Sequence, residues 1–432
     1  MSLFTVDAQS VSQAPEVGVQ GAPMGSPSHH ASSGRATSPH VVIVGAGPAG
    51  SSAAILLAQQ GARVTLLERA RFPRDKTCGD GCTPRALWML ERLGLGALPG
   101  DAGAPVDSVR AISPGGITWS ALIPERLFGG RSSVVPREVL DERLVRRAVQ
   151  AGATLREGVR VEGLEREHDV LRVHCRDGEP LRADVVLGCD GSPSVIRGAL
   201  GAPAFSEHEG AFAVRAYYED VRLSHPRSMG FFWEEALLPA YGWIFPLPGG
   251  RANVGLGMRA DQLAASGVRL PELLERFCAS PHVAAELAGA RRVGRVKGHH
   301  LPFGSSARHT TFDRALLLGD AAGFVNPLTG EGIEFALESG AFAAEALAEA
   351  FATGDLSARG LGGYARRWQT RFRTAFRLNR RLMWAFERPR LLDRIFHLAN
   401  RDERARDELI DVLSGEATRL SWRFLAAVAF GR

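Results

Sequence analysis

The stretch HVVIVGAGPAGSSAAILLAQQGARVTLLE, residues 40–68, decides the fold. It opens with a run of β-branched residues, which is typical of a strand buried on both faces of a parallel sheet. The glycine-rich segment Gly45 to Gly50 then leads into an alanine- and leucine-rich helix from Ser51 to Gln60. A second apolar strand, Arg63 to Leu67, follows and is closed by Glu68. The stretch therefore predicts one strand–helix–strand unit of a parallel α/β fold.

The spacing of the three glycines predicts that this unit binds a dinucleotide. Gly45 permits a tight turn, Gly47 lets the backbone approach a pyrophosphate, and Gly50 lets the helix pack closely against the strand. The positive end of the helix favours anionic phosphates. Glu68 lies 23 residues after Gly45, where an acidic side chain can accept hydrogen bonds from a ribose diol. The alternative is a plain turn, which the flanking strands and the spacing of the acid disfavour.

The composition excludes several classes of protein. The chain has 432 residues, of which 45% are apolar and 23% charged, and its formal charge is +5. These values are those of an ordinary globular protein, and no run approaches the ~18–20 apolar residues of a membrane-spanning helix. Only two of the 52 basic residues, Lys76 and Lys297, are lysines. The small positive charge therefore gives no argument for a nucleic-acid partner.

The cysteines form no regular framework; the five are Cys78, Cys82, Cys175, Cys189 and Cys278. Cys78 and Cys82 have no second pair and no histidine cluster near them, so we expect no metal site. His299 and His300 would face opposite sides of a strand, which also argues against a metal site. The cysteine usage fits a reducing compartment, and we expect the protein in the cytoplasm.

The order of elements predicts an α/β protein with an interrupted Rossmann-like domain, an inserted antiparallel sheet and a helical C-terminal arm. A tail rich in Ser, Ala, Gly and Pro comes first, and we expect it to be disordered. The predicted parts are the tail 1–39, a first nucleotide-binding part 40–200, a substrate domain 201–305 that also draws on about 82–135, a second nucleotide-binding part 306–355 and a basic helical region 356–432.

A second motif indicates that the dinucleotide is FAD. Gly319-Asp320 follows a buried apolar strand, and the run Pro327 to Ile333 comes shortly after it. An aspartate at the end of a strand can bind a ribityl hydroxyl. The positive end of a helix that starts at Gly330 can face the pyrimidine edge of a flavin and stabilise negative charge there. The alternative is an ordinary turn and helix cap.

With these residues the chain resembles the FAD-dependent oxidoreductases of the para-hydroxybenzoate hydroxylase superfamily and, within it, the geranylgeranyl reductase family. The superfamily resemblance rests on Gly45–Gly50 with Glu68, on Cys189-Asp190-Gly191-Ser192 with Ser194 and Arg197, and on Gly319-Asp320. The family resemblance rests on residues 72–81, FPRDKTCGDG, and on residues 241–246, YGWIFP. The first of these two segments is similar to that of menaquinone side-chain reductases.

The resemblance implies reduction of carbon–carbon double bonds of a prenyl chain by hydride transfer from reduced FAD, with NAD(P)H or ferredoxin as the electron donor. It implies FAD contacts at Gly45, Ala46, Gly47, Pro48, Ala49, Gly50, Glu68, Arg69, Cys78, Gly79, Gly81, Arg137, Val161, Asp190, Asp320, Gly330, Gly332 and Ile333. It also implies a prenyl cavity lined by Tyr241, Trp243, Phe245 and Pro246.

The residue types suit this chemistry. An isolated alkene has no polar handle, so a site must hold it by shape and apolar burial, at ~0.8 kcal/mol per buried methylene. Tyr241, Trp243 and Phe245 alternate on a strand and share one face, which serves equally as an ordinary sheet core. Cys78 is a candidate proton donor or polarising group, and its alternative is a small residue packed under the flavin. We expect Lys76 to be a solvated loop lysine.

Two other functions are kept as alternatives. One is an FAD-dependent monooxygenase or halogenase acting on an aromatic or polyketide substrate, and the other is a prenyl-lipid binding protein without catalysis. Related halogenases carry a lysine in a Phe-Pro-x-x-Lys context that is usually followed by Gly-Glu-Ser. The present chain has Cys-Gly-Asp-Gly after Lys76, separated from it by Thr77, and this argues against halogenation.

The C-terminal region is basic and amphipathic. Residues 361–432 contain 16 arginines against 8 acidic residues. Seven arginines fall between Leu361 and Leu382, namely Arg366, Arg367, Arg371, Arg373, Arg377, Arg380 and Arg381. Tyr364, Trp368, Phe372, Phe376 and Met383 are interleaved at helical spacing. This pattern predicts peripheral binding to the inner face of the cytoplasmic membrane, or a helix whose aromatic stripe packs on the FAD domain.

Overall fold

Nineteen strands and twelve helices make up the part of the chain that the computed structural model describes, residues 38–96 and 102–430. The strands, numbered along the chain, are β1 His40–Val44, β2 Arg63–Glu68, β3 Gly81–Cys82, β4 Ala104–Val106, β5 Ser108–Ile112, β6 Thr118–Leu122, β7 Ser132–Val134, β8 Thr154–Glu157, β9 Val161–Glu167, β10 Val170–Cys175, β11 Leu181–Ala183, β12 Val185–Gly188, β13 Gly210–Glu219, β14 Ser228–Phe232, β15 Tyr241–Leu247, β16 Arg251–Arg259, β17 Arg291–Pro302, β18 Thr311–Phe312 and β19 Ala315–Leu317. The predicted tail of residues 1–39 lies outside the described range, except for its last two residues.

The helices are numbered in the same way. They are α1 Pro48–Gln59, α2 Pro84–Arg92, α3 Arg137–Gln150, α4 Val195–Ala199, α5 Ala260–Ser266, α6 Leu270–Cys278, α7 Pro281–Glu286, α8 Ile333–Thr353, α9 Gly362–Phe386, α10 Pro389–Arg401, α11 Glu403–Leu413 and α12 Trp422–Phe430. A 3₁₀ turn, Gly319–Ala321, follows β19.

The sheet that carries the glycine motif has six strands in the order β18-β19-β12-β1-β2-β8. All its pairs are parallel except β18 with β19. All five residues of β1 are buried, with Val41 opposite Val185 on one side and Val64 on the other. This confirms the prediction of a strand covered on both faces. Helix α1 starts at Pro48 rather than the predicted Ser51, because proline suits the first position of a helix.

Helix α8 packs directly on α1. A Cβ at Gly340 would lie 2.6 Å from the backbone oxygen of Ala49, so only glycine allows the two backbones to come this close. The helix begins at Ile333, three residues after the predicted start at Gly330, whose φ of +71° is left-handed and cannot continue a helix. The two helices therefore form a rigid pair beside the motif loops that precede them.

The second large sheet has seven strands in the order β17-β13-β16-β15-β14-β5-β6. Five of its six pairs are antiparallel and one, β14 with β5, is parallel. Strands β5 and β6 come from residues 108–122, so two separate parts of the chain build this sheet. Two three-stranded sheets, β11-β10-β9 and β3-β7-β4, complete the strand structure of the described residues. The predicted domain boundaries stay predictions.

The C-terminal helices are packed against the rest of the molecule. The aromatic stripe of α9 is buried along its length, from Tyr364 to Met383. The Tyr364 hydroxyl donates to the backbone oxygen of Leu317 at 2.7 Å, and the ring of Phe376 lies where a Cβ of Gly304 would be. The stripe therefore packs on the protein, as in the second alternative, and does not face a membrane. No described helix is both long and apolar enough to cross a bilayer.

Candidate active site

A cavity of about 510 Å³ lies where the parallel strands of the first sheet end and the second sheet begins. Val44, Glu68 and Leu318, at or just beyond the ends of β1, β2 and β19, contribute to one wall. The opposite wall comes from the seven-stranded sheet, including Tyr241 and Trp243. A crevice at the carboxyl ends of parallel strands is where α/β sheets bind their ligands.

Most of the residues predicted for the site line this cavity. They are Gly45, Gly47, Pro48, Ala49, Glu68, Arg69, Cys78, Gly79, Gly81, Arg137, Val161, Asp190, Tyr241, Trp243, Asp320, Gly330, Gly332 and Ile333. Ala46, Gly50 and Pro246 do not line it. A Cβ at Gly50 would lie 1.9 Å from the backbone oxygen of Gly45, so this glycine serves the close helix–strand packing that the motif predicts. The structure thus brings together residues that are up to 288 positions apart in the sequence.

The glycine loop and Arg137 form a cationic end of the cavity. Helix α1 starts at the loop with no side chain capping its N-terminus. At Gly47 a Cβ would have only the Arg137 guanidinium within reach, at 3.7 Å. Asp141 holds that guanidinium through two hydrogen bonds, Nε to Oδ1 at 2.7 Å and Nη2 to Oδ2 at 2.8 Å. The first amides of a helix, which have no partner within the helix, and a fixed guanidinium are a donor set for phosphate oxygens.

Glu68 ends β2 at the cavity and also braces the glycine loop. Its Oε2 accepts from the Ala46 amide at 3.2 Å and its Oε1 from the Ala70 amide at 3.0 Å. Arg74 donates to Oε2 at 3.3 Å. Oε1 keeps a free acceptor position for a ligand hydroxyl.

Asp190 lines the cavity, and its carboxylate also binds the start of α4. Its Oδ1 accepts from the Ser194 hydroxyl at 2.6 Å, and its Oδ2 accepts from the amides of Val195 and Ile196 at 2.7 and 3.1 Å. Oδ2 therefore binds the first amides of the short helix α4, while Oδ1 holds Ser194, the N-cap residue of that helix. Burial raises the pKa of Asp190.

The start of α8 is partly capped by a residue that the sequence analysis did not single out. Glu331 lines the cavity, and its Oε1 accepts from the Glu334 amide at 2.8 Å. Burial raises the pKa of Glu331 to about 7, against the opposing effect of the hydrogen bonds from Glu334 and Ile333. A carboxyl group that changes its charge near neutral pH therefore lies at this helix end.

Lys76 is not the solvated loop lysine that we expected. Its Nζ lies 3.1 Å from Nε2 of His299 and 3.6 Å from Oδ2 of Asp320, and all three side chains line the cavity. Burial would raise the pKa of Asp320, but Lys76 and His299 outweigh it and hold that pKa well below its usual range. Burial lowers the pKa of Lys76 and of His299. No local pattern in the sequence predicted this cluster, because its members lie far apart along the chain.

The second half of the cavity is aromatic. Tyr241, Trp243 and Phe245 share one face of β15, as the alternation predicts, and line the cavity. The ring centroids of Phe231 and Phe245 are 5.2 Å apart, and those of Trp233 and Tyr241 are 5.6 Å apart. Further apolar walls come from the C-terminal helices and from β14 through Met229, Met383, Phe386 and Leu413. These side chains serve as sheet core and cavity wall at once.

A buried polar network that sequence reasoning missed connects the two halves. Asn253 on β16 accepts from the Trp243 indole at 3.0 Å and donates to the Cys78 carbonyl and to Asp80, each at 2.8 Å. Asp80 also accepts from the Tyr217 hydroxyl at 2.7 Å. Burial raises the pKa of Asp80 to about 6. An asparagine inside an otherwise apolar strand was the one available signal.

Cys78 lies in the loop that this network holds. Gly79, the next residue, lies against the aromatic wall, since a Cβ there would be 3.3 Å from the Phe245 ring. Burial raises the pKa of the Cys78 thiol, although Arg137 acts in the opposite direction. The thiol therefore keeps its proton at neutral pH, as a proton donor must.

The fold and the cavity together define an α/β protein of the dinucleotide-binding kind. We call the half of the cavity beside the glycine loop the crevice, and the aromatic half beside Tyr241 and Trp243 the chamber. The sequence model of the FAD binding domain family matches residues 38–253. The chain belongs to the FAD-dependent oxidoreductases, in the geranylgeranyl reductase family.

Similar proteins support this assignment. A menaquinone reductase of Mycolicibacterium smegmatis is 33% identical over 375 residues, which cover 82% of this chain and 85% of the relative. A digeranylgeranylglycerophospholipid reductase of Methanopyrus kandleri is 35% identical over 351 residues, which cover 78% of this chain and 87% of the relative.

Solved structures share the fold. A geranylgeranyl bacteriochlorophyll reductase-like protein of Thermoplasma acidophilum has a TM-score of 0.73 at 23% identity, with 91% of this chain and 96% of that chain covered. The flavin-dependent brominase Bmp2 has a TM-score of 0.74 at 21% identity, with 91% and 98% covered. At these identities the likeness concerns the fold alone.

Proposed function

We propose that the protein reduces carbon–carbon double bonds of a prenyl chain, with FAD as the hydride carrier. One observation carries this proposal: a single cavity joins a cationic, dinucleotide-type crevice to an aromatic chamber. The names of the relatives, menaquinone reductase and digeranylgeranylglycerophospholipid reductase, agree with a prenyl substrate.

The residues of the crevice fit FAD. The uncapped start of α1 and the Arg137 guanidinium would hold the pyrophosphate, and the free position on Glu68 would bind the adenosine ribose. Asp320 would bind the ribityl chain. It lies next to Gly332, since a Cβ at Gly332 would be 3.6 Å from Oδ1 of Asp320. When bound there, FAD supplies the hydride for the reduction.

The chain's own residues would exclude water, hold the alkene and supply the proton. The aromatic wall gives apolar contact over a long isoprenoid, which needs no polar recognition. We assign the proton donor as Cys78, whose loop is fixed by Asn253 through the Cys78 carbonyl. Tyr241 is less suited, because its hydroxyl already donates to the Thr329 backbone oxygen. Tyr241 and Trp243 act as walls of the chamber.

The test is the mass of the product. Enzyme reduced with dithionite and kept free of oxygen is incubated with a geranylgeranyl lipid, or with menaquinone whose ring is reoxidised to the quinone before mass spectrometry, and the product should gain two mass units per reduced double bond of the chain. Cys78→Ala should lower the turnover while the enzyme keeps its FAD, and Cys278→Ala, far along the chain on α6, is the control. An unchanged prenyl lipid, together with an oxygen-dependent gain of sixteen mass units on an aromatic substrate, would establish the monooxygenase alternative instead.

The electron donor is proposed to be NAD(P)H or ferredoxin. The sequence contains a single Gly-x-Gly-x-x-Gly unit flanked by two strands, so a nicotinamide would bind transiently. Bleaching of the flavin absorbance by each donor in turn, without oxygen, distinguishes the two. A flavin that neither donor reduces would contradict both assignments.

We propose peripheral membrane binding in a corrected form, through the outer face of α9, with the protein located on the cytoplasmic side. Of the seven arginines, four are exposed: Arg366, Arg373, Arg377 and Arg381. Their spacing of seven, four and four residues places them on one side of the helix, and the exposed Trp384 continues that side. A basic stripe with a terminal tryptophan suits an anionic lipid surface.

A further inference from the structure

Lys76, His299 and Asp320 come from three elements and meet at the cavity wall. Lys76 lies in the loop between β2 and β3, His299 on β17, and Asp320 in the 3₁₀ turn after β19. The Lys76 ammonium lies 3.1 Å from the His299 ring nitrogen and 3.6 Å from the Asp320 carboxylate. Their side chains are only 19–25% exposed. A lysine normally extends into solvent, so this arrangement is a specific feature of the site.

The position of the cluster relates it to the reaction centre. Asp320 lies beside the start of α8, close to Gly332. Lys76 precedes Cys78 by two residues, and Gly79 rests on the aromatic wall. Lys76 therefore lies between the crevice proposed for FAD and the chamber proposed for the prenyl chain.

The charges near Lys76 decide what it can do. Arg137, the other cation of this region, is held by Asp141 beside Gly47, at the end of the cavity proposed for the pyrophosphate. Lys76 is the cation that faces Asp320. Nε2 of His299 lies 3.1 Å from the Lys76 ammonium and 3.7 Å from the Asp320 carboxylate, so it contacts both charges. Burial lowers the pKa of His299, and a neutral ring that carries its proton on Nδ1 accepts at Nε2 from the ammonium and positions it.

We propose that Lys76 is a fixed cation of the redox site that neutralises the Asp320 carboxylate and so favours reduced FAD, with His299 as its positioning residue. This inference rests on the proposed function. Reduction by two electrons and one proton, from a nicotinamide hydride or from two ferredoxin electrons and a solvent proton, adds one negative charge to the cofactor. Beside an unpaired carboxylate that charge would be repelled, and a cation at 3.6 Å from the carboxylate removes the repulsion.

The first experiment compares the only two lysines of the chain. Lys297 pairs with Asp75 at 2.6 Å and is 50% exposed, so it is a matched control. Lys76→Met should lower the equilibrium constant for two-electron reduction of the bound FAD at least tenfold, which is about 30 mV, measured against a reference dye. Lys76→Arg should restore most of it and Lys297→Met should not change it. His299→Ala should give a smaller decrease of the same sign.

A second measurement uses the unmodified enzyme, so it does not depend on the folding of a variant. Both lysines are labelled with an amine reagent, with and without FAD, and the extent is measured by mass spectrometry. FAD should protect Lys76 several-fold and leave Lys297 unchanged.

The outcomes separate the two proposals. If wild-type protein and Lys297→Met bind FAD while Lys76→Met has an unchanged potential, or if FAD does not protect Lys76, the inference about Lys76 is wrong and the proposed function stands. If the wild-type protein binds no FAD, the proposed function fails, and the inference fails with it.

Discussion

Asn253 shows how one side chain can position several parts of a reaction site. It is fully buried on β16, and its amide holds the Trp243 indole, the Cys78 carbonyl and the Asp80 carboxylate at the same time. Asp80 has a φ of 65°, a left-handed conformation that aspartate tolerates better than most residues. The loop that carries Cys78 is therefore fixed by hydrogen bonds to the aromatic sheet as well as by its own backbone conformation.

Asn253→Ala should destabilise the fold and lower activity together. The change leaves the Trp243 N–H and the Cys78 carbonyl without partners in a buried place, at about 1–3 kcal/mol for each unsatisfied group. We expect a loss of about 2–5 kcal/mol in the free energy of unfolding, measured with urea and circular dichroism. Asn400→Ala, which removes an exposed hydrogen bond to the Thr118 carbonyl, is the control. Equal losses in the two variants would contradict the role of the network.

Glu331 should make stability depend on pH. Its pKa is about 7 in the folded protein, against 4.5 for an ordinary glutamate, so the folded state holds a proton that the unfolded state releases between these values. The contribution of Glu331 to stability is thus complete below pH 4.5 and is lost as the pH rises to 7, by up to about 3 kcal/mol.

Glu331→Gln keeps an acceptor for the Glu334 amide but cannot ionise. Relative to this variant, the wild type should lose stability between pH 5 and pH 8 in urea unfolding. Glu275→Gln, an exposed acid on α6, should leave the profile of the wild type unchanged. Parallel profiles for wild type and Glu331→Gln would show that Glu331 does not hold its proton in the folded state.

At the scale of elements, α9 is attached to the molecule by charge as well as by its aromatic stripe. Arg371 lies 2.9 Å from Glu416, 3.1 Å from Glu334 and 3.4 Å from Glu338. Arg85 on α2 joins the same cluster through Glu338 and Glu416. Two guanidinium groups thus serve three carboxylates, two of them fully buried on α8.

Two arginines of α9, two positions apart, give a matched comparison. Arg371→Met removes one of two cations from buried carboxylates and should cost about 3–5 kcal/mol of unfolding free energy. Arg373→Met, on the exposed side, should change it by no more than about 0.5 kcal/mol. Urea unfolding measures both changes in free energy. It is done at pH 8, because there the carboxylates are least able to take up a proton and so compensate for the lost cation. If Arg373→Met costs as much as Arg371→Met, the charge cluster does not anchor the helix.

Which elements the sequence could predict follows from the range of the interactions. The strand–helix–strand unit at 40–68 was predictable because its burial, turn glycines and closing acid are local signals. The predicted start of α8 was three residues too early. Gly330 has a left-handed backbone and Glu331 caps the helix, so both residues precede its first turn. In α9 the periodicity of the sequence predicted the buried aromatic stripe. It could not predict which arginines are paired and which are exposed, because this depends on carboxylates of α8 and on Glu416.

For the whole molecule, the cavity is assembled from contacts across long sequence distances. The motifs predicted its polar crevice, since each carries its own backbone geometry. They did not predict that Lys76 meets His299, 223 residues away, or that Asn253 binds the Cys78 loop, 175 residues away. The C-terminal helices also close the chamber, through Met383 and Leu413, so a region first predicted as a surface arm belongs to the site.

The charge of the chain is distributed unevenly, and this bears on how a lipid substrate would reach the chamber. Residues 361–432 carry a net charge of +8, so the remaining 360 residues are net negative. Because Arg367 and Arg371 pair with glutamates of the protein, they cannot contribute to lipid binding. The exposed stripe of α9 keeps its four arginines available to a membrane, and the same helix supplies Met383 to the chamber wall.

Replacing that stripe should therefore weaken binding to anionic vesicles without unfolding the protein. The fourfold variant Arg366, Arg373, Arg377 and Arg381 to Gln removes at most about 1 kcal/mol per arginine, so affinity for vesicles with a third phosphatidylglycerol should fall by up to about a thousandfold. Binding of the wild type should also weaken with salt. A second fourfold variant with the same change in net charge, made at the exposed Arg166, Arg176, Arg182 and Arg269, is the control. If both variants bind equally, the attraction comes from net charge alone. Because α9 supplies a wall of the chamber and the four control arginines do not line the cavity, that result would also remove the argument that the helix delivers the lipid to the site.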